Sequence, residues 1–321
     1  MMASTCLADN FVSSGPLQVR NLSPITQLYG IPRVVGARVQ KGGIETSLSV
    51  EIANNFVFSE TQETVANFDG ETQVVSFRIR GGTGGRFDWG AEIPYVMNSG
   101  GELDMFIDQF HELFGFSTGD RLTMPRNQTT FNVSQNGIDE VNLESAAQGI
   151  GDMRLHTGYS LFALHDRALA LRAELKLPTG DVESLTGSEA TDFSLWAEYE
   201  RRVALGSQPV HMSFALGASF LGEGEFLSED QNRVIGLGHF GLQFPVCQRW
   251  LFKAQLDGHT DVFDNPNGVI GGGGLLGTLG GRVNLTKKFW VDASVIEDLA
   301  SSSAADVVFQ LSLGADFSAK N

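Results

Sequence analysis

Charged side chains recur at every second position in three consecutive segments of the sequence. A period of two places the members of each segment on one face of a β-strand. Acidic and basic groups that face each other on neighbouring strands would form either a transverse field that selects solutes or a ladder of ion pairs that fills and largely closes the interior. Both alternatives remain open, and both require pairing because an unpaired charge in a narrow interior is costly. The candidates are Asp152, Arg154, His156, Arg172, Glu174, Lys176, Glu198 and Glu200.

A second group of candidates lies in residues 102–114, where the hydrophobic period changes. Apolar residues fall at i, i+3, i+4, i+7, i+10 and i+11, which predicts a short amphipathic helix. Its polar side carries Asp104, Asp108, His111 and Glu112. This set superficially resembles a metal site, but a solvated helix face is favoured and no metal is predicted. We expect the helix either to fold inward as a plug or gate, or to lie at a membrane interface.

A hydrolase would need a nucleophile and a base in one constellation. His156, His211, His239 and His259 share the parity of the charged residues, but none lies beside a serine in a recognisable motif. The glycines at 271–274 lack the strand–loop–helix context of a phosphate-binding loop. The sequence therefore predicts no catalytic residue and no cofactor, and a lipid-modifying enzyme stays as a second alternative.

The elements that would position these residues are strands. At the C-terminal end, Val307, Phe309, Leu311 and Leu313 alternate with polar or small residues, and similar alternation begins at Ile44. Counting from Ile44, the pattern predicts twelve strands of about 12–14 residues, longer than strands in soluble sandwiches. Residues 34–39 predict a further short strand, and residues 69–70 (Asp-Gly) predict a hairpin turn.

The connections between these strands alternate in length. Those at 163–168, 205–210, 246–251 and 285–289 are short, whereas those at 178–191, 221–233, 264–272 and 297–305 are mostly longer and rich in Gly, Ser, Asp and Glu. Transmembrane barrels have short periplasmic turns and long external loops. The sequence thus predicts an all-β fold: a transmembrane antiparallel up-and-down β-barrel of about 12 strands, with one amphipathic helix in a long loop.

Composition agrees with this fold and excludes other classes. The 321 residues include 38 Gly and 23 Phe. No run of 18 apolar residues occurs, so the sequence predicts no membrane-spanning helix, whereas membrane-spanning strands stay compatible with it. A net charge of −16 argues against nucleic-acid binding. Cys6 and Ala8 are spaced like a secretory cleavage site, although the charged and long apolar regions of a signal peptide are missing. A signal remnant, an ordinary terminus and a lipid-anchored Cys6 remain open.

Two resemblances add to this reading. The C-terminal strand, with Gly314 and Phe317, resembles the assembly signal of bacterial outer-membrane barrels, although four residues follow Phe317. The stretches G-I-G-D-M at 149–153, L-K-L-P-T-G-D at 175–181 and L-T-G-S at 185–188 resemble an uncharacterised proteobacterial family, domain of unknown function 3187. The likeness runs from about residue 17 to the end. The K-L-P-T-G-D motif also recurs in outer-membrane transporter-like families, and the resemblance implies no activity.

The organisation expected from the sequence has three parts. Residues 1–33 are a signal remnant and irregular segment, residues 34–317 form the barrel with a long external insertion at 98–148, and residues 318–321 are a tail. We expect a channel or transporter for a small solute or lipid-like ligand, with a closed structural barrel as the first alternative. Expected partners are outer-membrane lipid, lipopolysaccharide bridged through acidic loops, and the barrel-assembly machinery through the C-terminal strand. The expected location is the outer membrane of a Gram-negative bacterium, with both termini periplasmic.

Overall fold

Twelve antiparallel strands close into a barrel in the computed structural model, which describes residues 14–61, 64–100, 129–206, 208–264, 270–300 and 304–317. Three shorter strands extend the wall, which gives fifteen in chain order. Within the described residues, no helix has the length and apolar character needed to cross a membrane. The strands are β1 Ile44–Glu60, β2 Thr64–Gly82, β3 Phe87–Ser99, β4 Thr130–Gln135, β5 Ile138–Leu143, β6 Ala147–Ile150, β7 Arg154–Ala163, β8 Arg167–Lys176, β9 Asp192–Leu205, β10 Gln208–Phe220, β11 Val234–Pro245, β12 Trp250–His259, β13 Gly274–Asn284, β14 Phe289–Asp298 and β15 Val307–Asp316.

The first and last strands close the ring. β1 pairs with β15 in antiparallel register from Glu45 opposite Asp316 to Asn54 opposite Val307. From β1 the ring runs through β2, β3 and then β7 to β15 in chain order, so the predicted twelve-strand barrel is confirmed. The β4–β5 hairpin pairs with the first part of β2, and β6 pairs with the last part of β3. These three strands raise one side of the wall at the end where the long connections lie.

The two faces of each strand meet different surroundings. Along β15, Leu311 and Leu313 are 57% and 53% exposed, whereas Gln310 and Ser312 are buried inside. Along β8, Leu171 and Leu175 point outward while Arg172 and Lys176 are buried. Because a membrane barrel presents its apolar residues to lipid and its polar residues to the lumen, this pattern fits a membrane-spanning wall.

Residues 14–40 lie inside the barrel, and we call them the luminal segment. The first limb, residues 14–22, runs from the end with the short turns toward the end with the long connections, where Asn21 meets His259 at the end of β12. A short 3₁₀-helix, Thr26–Leu28, turns the chain around. The second limb, residues 29–40, returns along the wall, and β1 begins at Ile44. The segment thus forms a hairpin-shaped plug.

Two local predictions are wrong. Residues 34–39 do not form a strand, because the backbone N–H groups of Val35 and Ala37 donate to the side chains of Glu198 and Glu200 rather than to a neighbouring strand. Asp69 and Gly70 do not form a turn, because both lie within β2 and pair with β1. A Cβ at Gly70 would lie 2.8 Å from the Phe131 ring, so this glycine serves a close approach of β4.

Several predicted features lie outside the described residues. The candidate signal remnant around Cys6 and the tail at 318–321 are among them. So is the predicted helix at 102–114, which carries Asp104, Asp108, His111 and Glu112.

Candidate functional site: the lumen, its N-terminal plug and its vestibule

Ion pairs link neighbouring strands across the lumen face. Arg154 donates to Glu174 at 2.9 Å, and Arg172 donates to Asp88 and to Glu198, each at 2.9 Å. All five side chains are almost fully buried. The pairing satisfies the guanidinium and carboxylate groups that burial has removed from water. Lys176 continues the ladder at 2.6 Å from Asp152 and 3.2 Å from Asp192.

All eight residues predicted to line the lumen lie on the inner face of the wall, but not all of them interact with one another. Glu198 and Glu200 contact the luminal segment through the N–H groups of Val35 and Ala37. His156 lies apart, with its ring 2.2 Å from the position that a Cβ would take at Gly90. Several of these residues therefore form cross-strand ion pairs, and Glu198 and Glu200 also hold the luminal segment in place.

Charged side chains of the wall anchor the second limb. Arg154 donates to the carbonyl of Tyr29 at 2.9 Å, and Arg172 donates to the carbonyl of Gly36 at 2.6 Å. At Arg33 the charged group belongs to the plug and not to the wall. Its guanidinium group contacts the carboxylate of Glu51 at 2.9 and 2.6 Å and that of Glu92 at 3.4 Å. The two carboxylates compensate for the burial of the guanidinium group. Arg33 therefore remains charged.

Mainly neutral groups hold the first limb, although Arg20 lies 4.0 Å from Glu92 and Arg33 donates to the carbonyl of Gln18 at 2.6 Å. The side-chain amide of Gln255 accepts from the N–H of Leu17 at 2.9 Å and donates to its carbonyl at 3.0 Å. Gln310 donates to the carbonyl of Gln18 at 3.0 Å, and the amide of Asn21 lies 3.1 Å from His259 Nε2. Hydrogen bonds between neutral groups are weaker than those to charged groups. The two limbs therefore differ in how firmly the wall holds them.

Apolar residues seal the lumen toward the long connections. Ile25, Leu28 and Tyr29 pack with Phe226 and Phe263 in one buried cluster. Tyr29 and Phe263 meet edge to face with ring centroids 5.4 Å apart. A second cluster joins the first limb to the wall through Leu17, Val19, Leu22, Val74, Val96 and Leu276. The plug is thus polar along the second limb and apolar at its tip.

A large cavity opens at the short-turn end, and we call it the vestibule. It has a volume of about 790 Å³. Its walls come from residues 35–40 of the second limb, from the turns at 246–249 and 285–288, and from the ends of β1, β13, β14 and β15. The ionisable side chains that line it are Arg38, Glu45, Arg80, Glu200, Arg249, Arg282, Lys287, Lys288 and Asp316.

Three adjacent strands bring Ser213, His239 and Asp257 into one hydrogen-bonded chain. Ser213 Oγ lies 3.0 Å from His239 Nε2, and His239 Nδ1 lies 2.7 Å from Asp257 Oδ1. Gly241 makes room for this contact, since a Cβ there would lie 2.5 Å from Ser213 Oγ. Gln255, which holds Leu17, also donates to Asp257 at 2.8 Å. The order of groups is that of a serine-hydrolase triad.

Sequence reasoning missed both the plug and this chain of groups. Residues 14–33 contain Pro16, Pro24 and Pro32 and no hydrophobic period, so nothing marked them as luminal. The parity of His239 placed it inside the barrel, but its contact with Ser213 depends on strand register, which places Ala215 opposite His239. Among the residues that the structure describes, no group of three or more His, Cys, Asp or Glu side chains is arranged to hold a metal ion.

Solved structures place this architecture in a known class. The crystal structure of the COG4313 outer membrane channel from Pseudomonas putida F1 aligns with a TM-score of 0.54 and 12% identity, over 90% of this chain and 98% of that chain. The NanC porin aligns at 0.46 with 6% identity, over 86% and 100%. The toluene transporter TbuX from Ralstonia pickettii aligns at 0.40 with 10% identity, over 92% and 98%. The first likeness shows a shared fold, that of an outer-membrane β-barrel.

The sequence gives the family. The model described as "Protein of unknown function (DUF3187)" matches residues 1–317, so the chain belongs to that family and the resemblance is confirmed. No curated protein sequence matches the chain.

Proposed function

We propose that this protein is an outer-membrane channel or transporter for a small solute or a lipid-like ligand, and that the luminal segment is its gate. One observation carries the proposal: a separate stretch of chain closes the lumen, bound to the wall mainly through side-chain contacts. In a purely structural barrel, side chains from the wall would be enough to fill the interior. A segment that binds the wall without joining its ladder is able to leave while all twelve strands stay paired.

The solved structure that shares the fold supports the same class of function. That protein is named an outer membrane channel. The ladder of buried ion pairs is the feature that favours a closed structural barrel, the first alternative.

The contacts of the two limbs indicate which part of the gate moves. Releasing the second limb would break the charge-assisted hydrogen bonds of Arg33, Arg154 and Arg172, each worth about 1.5–3 kcal/mol, and would remove Arg33 from the buried carboxylates of Glu51 and Glu92. Releasing the first limb would break neutral hydrogen bonds worth about 1 kcal/mol each, together with the contact of Arg20 with Glu92 and the apolar packing described above. Because the first limb, residues 14–22, has fewer charge-assisted contacts with the wall, we infer that it is the movable part and that the second limb is the fixed part.

Conductance of the purified protein in planar bilayers, together with swelling of liposomes in small sugars and amino acids, tests the proposal. The wild type should show low or intermittent current. Arg33→Ala should raise the open fraction, because Arg33 donates to the carbonyl of Gln18 in the first limb at 2.6 Å and ties the second limb to Glu51 and Glu92. The matched control is Arg233→Ala, which removes an exposed arginine that pairs with Glu223 in one of the long connections.

The outcomes separate the channel from the structural barrel. Current or swelling that rises in Arg33→Ala but not in Arg233→Ala supports a gated channel. If wild type and Arg33→Ala both fold as heat-modifiable barrels and pass neither ions nor any tested solute or hydrophobic ligand, the protein is a closed structural barrel and the proposal fails.

The chain Ser213–His239–Asp257 favours a second candidate function, an ester hydrolase acting on lipid. In that role Ser213 would attack the ester carbonyl and His239 would accept its proton and pass it to the leaving alcohol; water would then release the acyl group. Two facts rank it below the channel. First, Ser213 is only 3% exposed. Second, the backbone around Ser213 pairs with the strands on both sides, so it has no free N–H group that could donate to an oxyanion.

A fluorophosphonate probe, which labels activated serines, tests this candidate. Labelling of the wild type that disappears in Ser213→Ala and His239→Ala would establish an activated serine. An unlabelled wild type and an unlabelled Arg33→Ala variant, with an unchanged phospholipid and lipid A profile in cells, would remove the candidate.

We also propose the orientation and the lipid contacts of the barrel. Its short turns face the periplasm together with both termini, and its long connections face outward. The described parts of the long connections contain many carboxylates, including Asp181, Glu183 and Glu189, and the one basic residue Arg233. Such loops fit divalent cations that bridge to lipopolysaccharide, and β15 fits recognition by the assembly machinery. An epitope inserted after residue 183 should be detected on intact cells, and one inserted after residue 165 should not.

A further inference from the structure

The vestibule differs in charge from the rest of the molecule. Six of the ionisable side chains that line it are basic and three are acidic. The whole chain carries a net charge of −16, and the long connections at the opposite end are acidic. The barrel is therefore polarised along its axis, with its basic end at the vestibule. A cavity lined by one sign of charge concentrates ions of the opposite sign.

The vestibule also contains guanidinium groups that are already oriented. Arg282 donates to both oxygens of Asp292, at 2.6 and 2.7 Å, and stacks on Trp290 with 3.6 Å between its guanidinium carbon and the ring centroid. Arg80 is held in the same way by Asp88 at 2.8 Å. Groups held in place lose less freedom when a ligand binds them.

Two further cations are available to a ligand. Arg249 and Lys287 lie on adjacent short turns, both line the vestibule, and both are exposed. Neither forms an ion pair with another described residue. A planar guanidinium and an ammonium group together suit a carboxylate or phosphate, because each donates charge-assisted hydrogen bonds to oxygen. Trp290, Phe289 and Leu251 supply an apolar wall beside them.

We propose that the vestibule is a binding site for small anionic solutes that carry a carboxylate or a phosphate, and that such anions are the substrate class of the channel. The substrate assignment rests on the proposed function, whereas the binding site does not. Arg249 and Lys287 bind the anionic group directly. Arg80 and Arg282 neutralise the carboxylates of Asp88 and Asp292, so that these do not oppose an anion in the vestibule, and the second limb forms its inner wall.

Calorimetric titration of the detergent-purified protein with succinate and, separately, with inorganic phosphate at low ionic strength tests the site. The variant is Arg249→Gln with Lys287→Gln, which leaves the ion-pair ladder intact. The matched control is Arg86→Gln with Arg167→Gln, because both residues are exposed at the same end of the barrel and do not line the vestibule. Both doubles remove two positive charges, so they change the overall field equally.

Wild type and control should bind succinate or phosphate saturably, and the vestibule variant should bind about tenfold more weakly. If both double variants bound the anion equally more weakly than the wild type, the effect would come from the overall electrostatic field and not from a site. Absence of saturable binding to the wild type would overturn the proposal. The reversal potential in a KCl gradient is measured in parallel. Binding without current would leave the site and remove the channel, whereas current without binding would leave the channel and remove the site.

Discussion

The guanidinium group of Arg33 meets the carboxylate of Glu51 through both terminal nitrogens, at 2.9 and 2.6 Å, inside the barrel. The contact joins the second limb of the plug to the first strand of the wall, and both side chains are almost fully buried. We predict that Arg33→Met and Glu51→Gln each lower the free energy of unfolding by about 1.5–3 kcal/mol, because each removes the two charge-assisted hydrogen bonds while Glu51 keeps Arg78 at 3.8 Å and Arg33 keeps Glu92 at 3.4 Å.

The double variant should lose less than the sum of the single losses by about 2 kcal/mol, as expected of residues in direct contact. Urea unfolding from liposomes, followed by tryptophan fluorescence, gives these values. Strict additivity would show that the two groups do not interact in the membrane. Arg233→Met, at an exposed ion pair, should change the stability by less than about 1 kcal/mol.

The sequence predicts the structure correctly where apolar and polar residues alternate with a regular period. Strand facing follows from alternation, so Leu311 and Ser312, or Leu171 and Arg172, could be assigned to opposite sides before any coordinates. The luminal segment has no period, and its partners are far away in the chain: Arg154 contacts Tyr29 across 125 residues, and Gln255 contacts Leu17 across 238. Such contacts require the closed ring and its register, which composition and alternation do not encode.

Charge on the outer face of the wall should be costly. Leu311 is 57% exposed on β15, so Leu311→Arg would place a charge among lipid tails and should cost about 2–4 kcal/mol near the midplane. Ser312→Lys should cost much less, because residue 312 faces inward directly opposite Asp292. Urea unfolding of both variants in liposomes measures the two changes in the free energy of unfolding. Equal changes would mean that residues 311 and 312 have been assigned to the wrong faces of the wall.

Gly314 lies under the ring of Trp290 on the neighbouring strand. A Cβ at residue 314 would lie 2.1 Å from the ring, so any side chain there displaces Trp290 and the guanidinium of Arg282 that stacks on it. Gly314→Val should therefore lower the free energy of unfolding by about 1–3 kcal/mol. It should also slow assembly, measured as the rate at which the heat-modifiable form appears on a gel. Ala315→Val, the neighbouring position on the same strand, is the control, and equal effects of the two substitutions would contradict a specific role for Gly314.

Hydrogen exchange should separate the two limbs of the plug. Amides of residues 14–22 should exchange faster than those of residues 29–40, because mainly neutral groups hold the first limb and mainly charged groups hold the second. Gln255→Leu removes both hydrogen bonds to Leu17 and should speed exchange of the first limb about tenfold, with little effect on the second. Arg172→Met should act on the second limb instead, since it frees the carbonyl of Gly36. Mass spectrometry of the protein in detergent resolves the two peptides; equal wild-type rates in both limbs, or a Gln255→Leu effect that spreads to residues 29–40, would show that the plug moves as one body.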